Sequence, residues 1–159
     1  TVREYVRLTQ ELDARDTPVV LVLFGDHKPW MGNGGSVYEE MGIDFDTSTL
    51  AGFRNYYATP YLIWANRAAK EVLGADFTGD GGDFSPCFLM TRLFDACGWA
   101  GPGYMQLSRA MRDISPLLHT NGLFLHDGVL TSVLSDTDRS FYRSWLAVQY
   151  YREHVAAYS

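Results

Sequence analysis

The sequence predicts an α/β fold with short apolar strands between amphipathic helices. The run at residues 19–24, VVLVLF, contains no polar residue, as is typical of a strand buried on both faces in a helix-covered parallel sheet. A second short run, YLIWA at residues 61–65, predicts another strand. Residues 117–133 place Asn-Gly and Asp-Gly between short apolar runs, which predicts a small antiparallel meander near the C-terminus.

Composition favours one compact globular unit. The chain has 159 residues, 47% of them hydrophobic and 14% aromatic, which argues against disorder. The formal charge is -6, and 13 basic residues are scattered along the chain, so no nucleic-acid partner is expected. No apolar run approaches the roughly 20 residues of a membrane helix, so the chain itself is expected to be soluble.

The first half alternates helices and strands. An amphipathic pattern predicts a helix that starts at the N-terminus and ends near Asp16, before the strand at 19–24. The sequence Ser36-Val37-Tyr38-Glu39 has the form of a capping box, which predicts a short helix from Val37. Pro60 can begin the strand at 61–65, because the first position needs no ladder donor. A helix is expected over residues 67–73, closed by Gly74.

A glycine-rich linker, GADFTGDGGDFSP, divides the chain into residues 1–74 and 75–159. Beyond it, Ser85 and Pro86 predict the cap and first turn of a helix that runs to Cys97. Pro102 predicts the start of a second helix through Met111. A final helix is expected over residues 138–152. Its inward-facing side chains are expected to be Phe141, Trp145, Leu146 and Val148.

The two cysteines, Cys87 and Cys97, fall in one predicted helix. Their α carbons would lie about 15 Å apart at the helical rise per residue, which is too far for a disulfide. The sequence therefore predicts two buried free thiols.

The most informative motif is Gly25-Asp26-His27, directly after the first strand. In open α/β sheets, ligands collect outside the carboxyl ends of the strands, and glycine permits a sharp turn that brings neighbouring side chains together. A carboxylate and a neutral imidazole suit a divalent metal ion such as manganese or zinc. The competing interpretation is structural, with an aspartate that caps loop amides and a histidine satisfied by a neighbour.

The sequence gives weaker support to other candidate binding residues. His126-Asp127 reverses the order of the first pair, but Asp127-Gly128 is explained by the predicted turn. His119 lies in the predicted meander, and His154 is expected to be solvated near the terminus. The loop from Asp76 resembles the start of a calcium loop but lacks the glutamate that closes one. Lys28 and Trp30 follow the motif directly and are candidate substrate-binding residues, by phosphate neutralisation and as a pocket wall respectively.

Several stretches together resemble a known family. TPVVLVLFGDHKPWMG and NYYATPYLIWAN are similar to the C-terminal part of the lipoteichoic acid synthase and phosphoglycerol transferase proteins. These proteins are a sulfatase-like branch of the alkaline phosphatase superfamily. FSPCFLMTRLFDACGW, NGLFLHDG and WLAVQYYREH resemble the tail of the same family, so the resemblance covers nearly the whole chain.

The resemblance implies a fold, a site and a reaction. It implies a fragment of an alkaline-phosphatase-like sheet with flanking helices, followed by the meander and final helix. Asp26 and His27 would ligate a divalent ion, most often manganese, with zinc or magnesium as alternatives. An upstream acid and an upstream threonine nucleophile would complete the site. The reaction would move phosphoglycerol, or a related phosphate ester group, from a membrane phospholipid head group in cell-envelope polymer synthesis.

This sequence departs from the family pattern because no threonine in it matches the nucleophile, so no catalytic residue is assigned within the chain. We therefore expect a C-terminal fragment, inactive alone, that works with the N-terminal part of the same polypeptide. The parent would lie in the cell membrane with an extracellular catalytic domain. The first residue is Thr1 rather than Met, which favours the same expectation. The alternative is a non-catalytic globular module with a structural Asp-His pair.

Overall fold

A computed structural model describes residues 2–155 and shows a mixed α/β protein. The helices are α1 (Val2–Asp13), α2 (Ser36–Glu40), α3 (Leu50–Tyr57), α4 (Arg67–Leu73), α5 (Leu89–Ala96), α6 (Gly103–Ile114) and α7 (Asp136–His154). The strands are β1 (Val20–Phe24), β2 (Tyr61–Ala65), β3 (Phe124–His126) and β4 (Val129–Thr131). Short 3₁₀ turns precede α2 and α5, at Asn33–Gly35 and Pro86–Phe88.

The strands β1 and β2 lie where the sequence predicts them, but they pair antiparallel. Val20 lies opposite Ala65 and Phe24 opposite Tyr61. The predicted parallel sheet is therefore wrong, because an apolar run does not specify the direction of its partner. The expected burial on both faces is wrong as well, since Leu21 and its neighbours are half-buried and Phe24 is 61% exposed.

One expected helix cap is wrong, and the other holds its position without a side-chain bond. Ser36 is the first residue of α2 rather than its cap, because the preceding glycines already form a 3₁₀ turn and Gly35, at φ 81°, occupies the cap position. Ser85 occupies the N-cap position before Pro86, as expected, but its hydroxyl makes no cap bond. It accepts from the backbone N–H of Leu118 at 2.8 Å and lies 3.1 Å from the carbonyl of the same residue. Ser85 therefore ties the linker to the segment before the meander.

The helix α3 was not predicted. Thr49 caps it by accepting from the backbone N–H of Gly52 at 3.0 Å. The helix packs closely on the preceding loop, because a Cβ at Gly52 would lie 2.1 Å from the carbonyl oxygen of Asp46. This helix forms one wall of the site described below.

One buried residue, Asn66, joins α1, β1 and α4. Its Oδ1 accepts from the backbone N–H groups of Val19 and Ala69, both at 2.9 Å, and so caps α4. Its Nδ2 donates to the carbonyls of Leu12 at 3.0 Å and Thr17 at 2.9 Å. The side chain is 0% exposed, so its hydrogen bonds replace all those it would make with water.

The main hydrophobic cluster lies in the C-terminal half. Phe88, Met111 and Trp145 are almost fully buried and pack together. The indole Nε1 of Trp145 donates to the hydroxyl of Ser108 at 3.1 Å, so this buried polar atom is satisfied. Phe141 packs against the cluster as expected. The expectation for Leu146 and Val148 is wrong, since they are 41% and 36% exposed. Tyr142 takes the inward position instead.

Of the two hairpins in the predicted meander, the second is confirmed, and the first forms only an isolated bridge. β3 and β4 pair antiparallel, with Phe124 opposite Thr131. Asp127 and Gly128 connect them with φ values of 49° and 77°, as a type I′ turn requires. At the Asn-Gly turn, His119 N donates to the carbonyl of Leu123 at 2.9 Å. Leu118 forms an isolated bridge with Phe124, which extends the pairing towards Ser85.

Both cysteines are free thiols, but only Cys97 is buried, and Cys87 is exposed. The prediction of two buried thiols is therefore half wrong, because Cys87 falls in the 3₁₀ turn before α5 rather than on its packed face. Within residues 2–155, no helix is both long and apolar enough to cross a lipid bilayer.

Candidate functional site

The Asp26–His27 pair lies where β1 ends beside the start of β2. Gly25 N donates to the carbonyl of Pro60 at 3.0 Å, and the Thr59 hydroxyl donates to the carbonyl of Gly25 at 2.6 Å. A Cβ at Gly25 would lie 3.1 Å from the Cβ of Thr59. The approach of β2 therefore fixes the backbone from which both side chains project.

The two side chains converge on each other. Asp26 Oδ1 accepts from the backbone N–H of His27 at 2.8 Å, which leaves Oδ2 directed towards the imidazole. Asp26 Oδ2 and His27 Nε2 are 3.5 Å apart, and both side chains are about four-fifths exposed, at 81% and 78%. The other ring nitrogen, Nδ1, lies 3.0 Å from the carbonyl of Lys28. A carbonyl only accepts, so Nδ1 carries a proton.

This donor set fits a divalent metal ion. Two ligands about 2.1 Å from a tetrahedral zinc lie about 3.4 Å apart, close to the Asp26–His27 separation. Metal-bound histidines usually donate their second ring N–H to a carbonyl or carboxylate, as His27 does to Lys28. In the part of the chain that the structure describes, no cluster of three or more histidine, cysteine or acidic side chains is placed to hold an ion. Among the described residues, this position therefore offers two candidate ligands, Asp26 and His27.

The neighbours Lys28 and Trp30 take different positions. Lys28 is half-buried, and its ammonium donates to the carbonyl of Asn55 on α3 and lies 6.0 Å from the ring centroid of Phe45. Lys28 therefore anchors the loop after Asp26 to α3. Trp30 is 69% exposed, and the adjacent carbonyl of Pro29 accepts from the Tyr38 hydroxyl at 2.6 Å. Their predicted roles in substrate binding remain predictions.

A second pair, His126–Asp127, has a similar local geometry. His126 Nε2 lies 3.7 Å from Asp127 Oδ2, and His126 Nδ1 lies 3.1 Å from the carbonyl of Ile114. The surroundings differ, because Asp127 projects from the tip of a tight hairpin and its side chain is 91% exposed. Asp26, in contrast, lies on the wall of a cavity. His154 is exposed, as expected, and stacks on Tyr150.

The cavity beside Asp26 has a volume of about 330 Å³, within the range of small-molecule sites. Its walls come from α3, the start of β2, the end of the linker and the segment before the meander. The lining residues are Asp26, Leu50, Phe53, Arg54, Tyr57, Ala58, Thr59, Tyr61, Gly82, Asp83, Phe84, Ser85, Pro86, Leu117, Leu118, His119 and Leu125. The cavity therefore needs residues from both sides of the predicted boundary at residue 74.

His119 closes one side of this cavity by contact with α3. Its ring centroid lies 5.2 Å from that of Phe53 and 4.6 Å from that of Tyr57. Its Nδ1 lies 3.3 Å from the backbone N–H of Asn121, so this nitrogen accepts and a neutral ring carries its proton on Nε2. The sequence placed His119 only in the meander. Nothing in the sequence places it against α3, because that contact spans more than 60 positions and α3 itself was not predicted.

Charged groups of the cavity wall form one ion pair. Arg54 Nε donates to Asp83 Oδ2 at 2.8 Å, and both side chains are more than half exposed. The acidic loop that resembles the start of a calcium site leads into this wall at Gly82. Its carboxylates close turns, since Asp76 Oδ1 accepts from the backbone N–H of Thr78 and Asp80 Oδ1 from that of Gly82. Hydrogen bonds from Thr78 hold the pKa of Asp76 below its ordinary value.

Comparison of the chain with protein-family models, with curated proteins and with solved structures finds no match.

Proposed function

We propose that this chain is the C-terminal part of a metal-dependent, sulfatase-like transferase. The proposed enzyme moves phosphoglycerol, or a related phosphate ester group, in cell-envelope polymer synthesis. Asp26 and His27 form one side of its metal site. The resemblance of the motifs around these two residues supports the proposal, as does the position of the pair at the rim of a cavity.

The observation that carries the proposal is the approach of two electron-rich atoms. Because Nδ1 of His27 donates to the Lys28 carbonyl, a neutral ring presents a lone pair at Nε2. That lone pair lies 3.5 Å from the carboxylate oxygen of Asp26. A cation between the two atoms would make this approach more favourable. A divalent ion supplies that cation in the proposed function, and a proton on the ring supplies it if the pair is structural.

The residues of this chain have defined tasks in the proposed site. Asp26 and His27 would hold the ion, and Thr59 keeps the backbone of Gly25 in place beneath them. A bound divalent ion would neutralise phosphate charge and lower the pKa of an attacking hydroxyl. The nucleophile and the remaining ligands would come from the N-terminal part of the same polypeptide. In that parent, the phospholipid substrate would place the catalytic domain at the outer face of the cell membrane.

Titration of the purified chain with Mn²⁺, followed by electron paramagnetic resonance, tests the metal site. We expect weak binding, with a dissociation constant well above that of a complete site, because two ligands make a poor cage. Asp26→Ala and His27→Ala should each weaken binding at least tenfold. Asp127→Ala is the matched control, since it removes the carboxylate of the similar pair on the hairpin.

The outcome for the two pairs separates the interpretations. Binding that depends on Asp26 and His27 but not on Asp127 supports the proposal. An absence of Mn²⁺ binding to the wild type, or an equal loss in Asp127→Ala, would contradict it and favour the non-catalytic module with a structural Asp-His pair.

A further inference from the structure

We infer that the cavity beside Asp26 binds the alkyl or acyl part of an alcohol. This inference rests on the proposed function only in that the alcohol is the group released from the phosphate ester at Asp26. In that transfer, the bond between phosphorus and the alcohol oxygen breaks, a bond between phosphorus and the nucleophile forms, and the released oxygen takes up a proton. The alcohol is therefore neutral when it leaves.

The walls of the cavity favour an apolar occupant. Leu50, Phe53, Phe84, Leu117 and Leu125 all contribute to the lining, from four separate segments of the chain. Burial of apolar surface between such walls is favourable by an amount that grows with the length of the bound chain. A polyol or a free phosphate would leave most of these side chains without a suitable contact.

The polar groups at the cavity favour a neutral head rather than an anionic one. Arg54 is already paired with Asp83, so it offers little uncompensated positive charge. Asp26, on the same wall, would repel an anion in the absence of a metal ion. His119 offers a donor, because its Nδ1 accepts from Asn121 and its Nε2 has no hydrogen-bond partner among the described residues. An alcohol oxygen can accept from that Nε2.

The arrangement assigns separate tasks to two parts of the lining. The apolar walls around Leu50 would set how strongly affinity depends on chain length. His119 would add the same amount to the binding free energy for every ligand, because it would contact the head group whatever the length of the tail. These two dependences can be measured independently.

Calorimetric titration of the purified chain with 1-O-alkylglycerols tests the inference. The tails range from butyl to decyl, at concentrations below micelle formation, in buffer containing EDTA. We expect affinity to rise about threefold to fourfold for each methylene until the cavity is filled. An affinity that does not change with tail length in the wild type would overturn the inference, and this result needs no variant.

Two variants and a control locate the binding site. Leu50→Trp should flatten the length dependence, because the indole would occupy part of the cavity. Leu146→Trp, the same substitution at an exposed position of α7, should leave it unchanged. His119→Phe keeps a ring against Phe53 and Tyr57 but removes the donor, so affinity should fall about fivefold at every tail length. Equal length dependence in Leu50→Trp and the wild type would place the binding elsewhere and overturn the inference.

The proposals for the metal site and for the cavity can be contradicted separately. Because the titrations contain EDTA, length-dependent binding in a chain that shows no Asp26-dependent Mn²⁺ binding would support the cavity and contradict the proposed enzyme. Asp26-dependent Mn²⁺ binding in a chain whose ligand affinity does not depend on tail length would support the proposed enzyme and contradict the cavity. Thermal unfolding of each variant establishes that it is folded before it is titrated.

Discussion

At the scale of single residues, Asn66 organises more of the backbone than either candidate metal ligand, Asp26 or His27, does. Its amide satisfies carbonyls at the end of α1 and after it, as well as N–H groups at the start of β1 and within α4. The sequence gives a partial signal for this role, because asparagine directly before a helical pattern is a common N-cap. It gives no signal for the contacts with the end of α1, which lie some fifty positions away.

Asn66→Asp tests this role with almost no change in size. A carboxylate cannot donate to the carbonyls of Leu12 and Thr17, and the charge would be buried without a cation. We expect the free energy of unfolding to fall by about 3 kcal/mol at pH 7. Urea denaturation measures this change. Asn121→Asp, at an exposed turn, is the control and should change stability by less than about 0.5 kcal/mol. Equal effects of the two substitutions would refute the role of Asn66.

At the scale of elements, an ion-pair cluster joins α5 to α6. Asp95 accepts from Arg109 Nε at 2.6 Å and lies 2.7 Å from Arg112 Nη1, and its side chain is only 19% exposed. Burial opposes the ionisation of Asp95, but the hydrogen bond from Arg109 and the positive charges of both arginines outweigh it and hold the pKa below its ordinary value. The cluster therefore stabilises the fold in the ionised form.

The sign of the pH dependence follows from that lowered pKa. The stabilisation by Asp95 is present above the pKa of an unfolded aspartate, about 3.9, and is lost as pH falls through the lower folded value. We expect Asp95→Asn to cost about 2 kcal/mol of unfolding free energy at pH 7 and progressively less below pH 4. Asp16→Asn, which breaks the exposed pair with Arg67, should cost almost nothing. Denaturation curves across this pH range measure both differences. A pH-independent difference for Asp95→Asn would contradict the assignment.

Elements with local signals were predicted well, and those set by distant contacts were not. β2 and α4 match their predicted bounds because Pro60 and Gly74 punctuate the chain beside them. The hairpin at Asp127-Gly128 follows from turn chemistry alone. α3 was missed because Gly52 and several aromatic residues lower its helix propensity, although Thr49 supplies a recognisable cap.

In the candidate site, too, the features with local sequence signals could be predicted and those set by distant contacts could not. The position of Asp26 and His27 after a strand could be predicted, because the apolar run and Gly25 are adjacent in the sequence. The direction of β2 could not, since the period and composition of a strand are the same for either partner direction. The cavity wall formed by His119 could not be predicted either, because it depends on packing between α3 and the segment before the meander.

At the scale of the molecule, packing is uneven along the chain. The cluster of Phe88, Met111 and Trp145 joins the turn before α5 to α6 and α7, whereas α1 contains no buried residue. The end of α1 is attached by the bond from Asn66 to the Leu12 carbonyl and by Asp13 Oδ1, which accepts from the backbone N–H of Arg67 at 2.9 Å. Local opening should therefore cost much less free energy in α1 than in α6.

Hydrogen exchange followed by mass spectrometry measures this difference. α1 and α6 are a matched pair, because each is 12 residues long. We expect the amides of α1 to exchange at least a hundredfold faster than those of α6, whose Met111 is 0% exposed. Similar protection of the two helices would show that α1 is held by more than these contacts at its end.

The antiparallel pairing of β1 with β2 also has a consequence for the order of events in folding. Residues 25–60, which connect the two strands, form a long loop that must close before the strands can pair. Non-local pairing of this kind is slow compared with the formation of a helix or a tight hairpin. The hydrogen bonds that position Gly25, from Thr59 and to Pro60, exist only once the loop has closed. The Asp26–His27 pair is therefore expected to reach its final geometry late in folding, after the helices of the C-terminal half have formed.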